Sequence, residues 1–78
     1  MLFTVEVQAG KPGSWQALAP AETVTARTGA TAVEIALDAA TNQDLVEGAE
    51  GWRVCVWKGA DANTRAAPAA IVKAEELA

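Results

Sequence analysis

Histidine and tyrosine are absent from this sequence, and phenylalanine and cysteine each occur once. With one thiol, Cys55, no internal disulfide can form, and without histidine a tetrahedral zinc site would need four ligands that the chain lacks. No motif implies a cofactor or a bound metal. Bases are also scarce: six Lys and Arg stand against ten Asp and Glu, a net charge of −4. That is the opposite of the basic footprint that phosphate neutralisation demands, so direct nucleic-acid binding is not expected. Long apolar runs are missing as well. Nothing approaches the roughly 18 to 20 continuous apolar residues of a membrane span, so no membrane association is expected. The first apolar run, Met1 to Val7, is interrupted by Thr4 and Glu6 and has no basic segment before it. It does not read as a signal peptide, and the lone cysteine fits a reducing, cytoplasmic setting.

What is there suits a single small domain over residues 1–78. A chain of this size buries only roughly 60% of the surface its unfolded form exposes, so close packing or association has to supply its stability. Leu2 to Gln8 alternates, Phe3, Val5 and Val7 against Leu2, Thr4, Glu6 and Gln8, the period-2 pattern of a half-buried strand. The turn chemistry of Gly10-Lys11-Pro12-Gly13-Ser14 then leads into Trp15 to Ala19, which predicts a hairpin. Pro20 cannot donate to a ladder, so the returning strand must end, bulge or lie on an edge there before Glu22 to Ala26 continues extended.

Thr31-Ala32-Val33-Glu34 has capping-box spacing and opens a helix expected to end between Asn42 and Val46. Its expected apolar arc is Val33, Ile35, Ala36, Leu37, Ala39 and Ala40, with Glu34, Asp38, Thr41 and Asn42 on the back. After a turn at Gly48 to Gly51, Trp52 to Trp57 alternates again, Trp52, Val54 and Val56 toward the core and Arg53, Cys55 and Trp57 away from it. Beyond a polar loop, residues 69 to 73 read as a short last strand, although the segment also has helical spacing. The expectation is an α+β fold: a small mixed sheet of three to four strands, ββαβ(β), with one helix on one face.

Catalytic chemistry finds little support. Cys55 has no histidine to activate it and holds an alternating strand position, where a small sheet residue is ordinary. Glu34 and Asp38, at i and i+4, could form a carboxylate pair but read more simply as a solvated helix back. Asp61-Ala62-Asn63 lacks the glycine and distal glutamate of a calcium loop, and Gly10-Lys11 is followed by Pro12 where a phosphate loop needs Ser or Thr. No enzymatic activity is expected.

The opening strand Met1-Leu2-Phe3-Thr4-Val5-Glu6-Val7 and the order hairpin, helix, strand, short strand resemble the ubiquitin-like β-grasp over the whole chain. Glu76-Leu77-Ala78 stands in place of a Gly-Gly tail, so conjugation is not implied. The segment Gly51 to Asp61 looks like that of short uncharacterised proteins of actinobacteria and their phages, an origin that the alanine-rich composition also suits.

The function expected is a small acidic accessory module that binds a protein partner or a second copy of itself. Two features would carry it. Trp15, Arg53 and Trp57 form an aromatic and basic patch, since large aromatics outside a core often anchor interfaces. Glu34, Asp38, Asp44, Glu47 and Glu50 lie between Arg27 and Arg53 with no base among them and make one side negative. The alternative is a phage-type inhibitor whose carboxylates imitate the phosphates bound by a host nucleic-acid-handling or defence protein.

Overall fold

The computed structural model describes residues 1–11, 13–42 and 51–74. In chain order these form β1 (Leu2–Ala9), β2 (Gln16–Ala17), β3 (Glu22–Thr25), α1 (Ala32–Asn42), β4 (Trp52–Lys58) and β5 (Ala70–Lys73). The fold is the expected α+β sheet with one helix on one face, and residues 70 to 73 form a strand. β2 and β3 share one side of β1, β4 lies on its other side and β5 lies beyond β4, with all four pairings antiparallel.

The hairpin turns at Gly10, whose φ of 135° suits glycine alone and where a Cβ would stand 2.5 Å from the Ser14 carbonyl oxygen. β2 and β3 are one returning strand interrupted in the middle. The Leu18 N–H donates to Val7 O at 2.9 Å and the next described pairing is Val5 with Glu22. Two residues on β1 therefore span four on the return. Pro20 lies in the excess, where its missing donor costs no ladder bond.

The capping box forms as its spacing requires. Thr31 Oγ1 accepts from the Glu34 N–H at 3.2 Å, and Glu34 Oε2 accepts from the Thr31 N–H at 3.2 Å. The helix then turns Ala32, Ile35, Ala36 and Ala40 into the core, with Ala39 packed at its margin. Val33 and Leu37 stay exposed, at 54% and 40%. This corrects the expected arc. A buried stripe centred on Ala32 and Ala36 lets small side chains bring the helix close to Phe3, Val54 and Val56, and that stripe leaves 33 and 37 at its outer flank. The helix is described through Asn42, while of the turn expected from Gly48 to Gly51 all but Gly51 lies outside the described residues.

The core consists of Phe3, Val5, Val54, Val56, Ala70 and Val72 from the sheet against the helix alanines and Ile35, with Val7 and Trp52 partly buried beside them. The other face of the sheet is not open at the β4 end. The connection between β4 and β5 folds back over it: the Thr4 hydroxyl donates to Gly59 O at 2.9 Å and accepts from the Ala62 N–H at 3.0 Å. Thr4 is thereby buried with both hydrogen-bonding functions used. No helix among the described residues is long and apolar enough to cross a membrane.

Candidate functional site

The expected aromatic patch divides on the structure. Trp57 is 5% exposed, and its indole Nε1 donates to Ala66 O at 2.9 Å. It belongs to a second packed layer under the 59–69 loop and not to an exposed anchor. Burial of an indole with its one donor satisfied is the usual way tryptophan is accommodated inside a fold. Trp15, by contrast, is half-buried where the hairpin returns, and the Arg53 guanidinium lies 4.7 Å from its ring centroid. Arg53 is held there: its Nε donates to Gln8 Oε1 at 2.6 Å, and Gln8 Nε2 donates to Glu6 Oε1 at 2.6 Å. Adjacent pairing of β1 with β4 places Gln8 opposite Arg53 and Glu6 opposite Cys55, which is why these four side chains share the helix-free face.

Cys55 is fully buried in this row, with its Sγ directed at Gln8 Oε1 at 3.7 Å. Burial pushes the thiol above its ordinary range, Arg53 opposes that rise and Glu6 adds to it. A thiol protonated more firmly in the folded than in the unfolded chain stabilises the fold fully below the unfolded value, about 8.5. That contribution fades as pH rises through the higher folded value. Urea midpoints between pH 8 and 10 should accordingly fall more steeply for the native protein than for Cys55→Ala, and iodoacetamide should label native Cys55 far more slowly than the unfolded chain. Equal pH slopes with rapid native labelling would show an accessible, ordinary thiol.

The acidic residues lie on the other side of the sheet. Glu34, already part of the helix cap, accepts from Arg27 Nη2 at 3.0 Å, and Asp38 is exposed one turn further on. Asp44, Glu47 and Glu50 fall outside the described residues. Trp15 and Arg53 therefore do not share a surface with Glu34 and Asp38. Among the described residues no group of three His, Cys, Asp or Glu side chains is placed to hold a metal ion.

Beside the acidic pair lies a feature that the sequence pattern does not display. α1 packs over β4, β5 and β1 and scarcely touches β3. A helix about 10 Å across cannot cover a sheet whose strands are spaced about 4.8 Å apart, and the strand left over is the outermost one. The result is a groove of about 620 Å³ between β3 and α1. Its apolar lining includes Val5, Val24, Ala26, Ile35 and Ala39, while Glu22, Glu34 and Asp38 stand around it with Arg27. Comparison with protein-family models, with curated proteins and with solved structures finds no match to the chain.

Proposed function

We propose that this chain is a small acidic accessory module that works without catalysis, by docking a protein partner against the groove between β3 and the acidic flank of α1. The observation that supports this reading is the uncovered edge of the sheet. A domain with so little core leaves Val24 and Ala39 only partly shielded beside buried Ile35 and exposed carboxylates, an apolar floor with a charged rim. The acidic helix residues expected to bind, Glu34 and Asp38, belong to that rim. Glu34 is neutralised in part by Arg27, which favours docking by shape and apolar contact over an array of carboxylates imitating phosphates. Trp15 and Arg53 offer a second surface of different chemistry on the helix-free face.

The reading is tested by affinity capture from lysate of the native host, using the wild-type chain, the charge reversal Glu22→Lys with Asp38→Lys, and Trp15→Ala. Both reversed positions are exposed, so circular dichroism should show unchanged folding. Proteins retained by wild type and Trp15→Ala should drop at least about tenfold on the double reversal. Equal retention on all three variants, or loss on Trp15→Ala alone, would remove the groove from the function.

A further inference from the structure

We propose that the occupant of this groove is an extended, basic segment of a partner protein, added as a further strand along the outer edge of β3. This rests on the reading of the groove as the docking site and specifies what enters it.

The edge itself argues for a strand. Met1 and Ala26 exchange two backbone bonds, the Ala26 N–H to Met1 O at 2.8 Å and the Met1 ammonium to Ala26 O at 2.9 Å. With the register Phe3 to Val24 and Val5 to Glu22, antiparallel alternation assigns the backbone groups of Glu22, Val24 and Ala26 to β1. Those of Thr23 and Thr25 then point outward, away from the sheet. The outer edge carries no lysine and no proline within β3, the devices that usually discourage pairing, and Pro20 blocks only the approach before it. Strand addition would satisfy these groups and run the new backbone along the mouth of the groove.

The walls specify the side chains. On an added strand, alternate residues would face the helix side, where the lining is apolar at Val24, Ile35 and Ala39 and carboxylate-bearing at Glu22 and Asp38, with Glu34 already paired to Arg27. A lysine or arginine suits both parts, its stem lying on the apolar floor and its charge reaching the rim. A second copy of this chain suits them poorly. Pairing β3 with β3 would bring Glu22 and Asp38 of each copy toward those of the other in a protein of net charge −4.

The test titrates the ¹⁵N-labelled full chain with three capped eight-residue peptides: alternating Val and Lys, alternating Val and Glu, and the Val/Lys peptide N-methylated throughout. Expected for Val/Lys are amide shifts confined to residues 22–26 and 34–39, with Thr23 and Thr25 N–H exchange slowed about tenfold or more at saturation. Affinity should fall at least about tenfold for each of the other two peptides and should weaken between about 50 and 300 mM salt. Equal binding of all three, unchanged Thr23 and Thr25 exchange, or shifts centred on Trp15 and Arg53 would overturn the proposal. So would self-association in sedimentation that Thr23→Pro abolishes, because it assigns the edge to a second copy. A captured partner that depends on Glu22 and Asp38 while leaving Thr23 and Thr25 exchange unchanged would remove strand addition and leave the docking module standing.

Discussion

Phe3→Ala should remove a large part of the protein's stability and lower its urea midpoint steeply. Phe3 is fully buried, is the chain's one phenylalanine, and fills the space between β1 and the alanine face of α1. Truncating a buried phenylalanine costs about 3 to 5 kcal/mol, because the surrounding structure collapses only in part around the lost ring. A chain of this length has a total stability on the order of 4 to 12 kcal/mol, so the loss consumes a large share of it. Urea unfolding followed by far-UV circular dichroism gives the comparison, with Phe3→Leu, which keeps part of the buried volume, expected to lose markedly less than Phe3→Ala. A Phe3→Ala midpoint close to wild type would mean that the helix is not seated on β1 as described.

Trp57→Ala should be a stability mutant of similar size, about 3 to 5 kcal/mol, and that result separates a packed residue from an interface anchor. The indole is buried on the helix-free face and bonded to the Ala66 carbonyl, so its removal undoes both the packing of the 59–69 loop and one satisfied donor–acceptor pair. Trp57→Phe should recover much of the apolar packing and still lose about 1 kcal/mol for the missing N–H. Trp15→Ala, at a half-buried position, should cost markedly less than Trp57→Ala. Hydrogen exchange across residues 59–69 should accelerate in Trp57→Ala and not in Trp15→Ala. If Trp57→Ala unfolds at the wild-type urea concentration, the residue is exposed in solution and returns to the interface reading.

The two kinds of outcome along β4 show what alternation can and cannot say. Trp52 to Trp57 declares a strand, and its two side-chain sets are read correctly as opposite faces. Whether the second face is wet depends on where the loop after Lys58 goes. Bonds such as Thr4 to Gly59 and Trp57 to Ala66 link segments whose meeting no local pattern announces. The helix is similar. Its start was legible because the capping box is chemistry within four residues, whereas its rotation was not, because Val33 and Leu37 are as apolar as the residues that won the core. Packing of the smaller alanines against Phe3, Val54 and Val56 decided which stripe faces inward.

The same distinction governs the candidate site. Glu34 and Asp38 could be named as an acidic helix surface from i, i+4 spacing, but Glu22, Val24 and Ala39 could not be joined to them, since nothing in the sequence states how far α1 sits from β3. By itself the sequence determined the strands by alternation, the turn and interruption by glycine and proline, the helix start by its cap, and the negative charge by composition. All of these act through neighbours along the chain. The tertiary structure alone decided that Trp57 is covered, that Trp15 and Arg53 lie apart from the acidic helix, and that one helix is too narrow for the sheet beneath it. Each of those depends on residues distant in sequence competing for the same space.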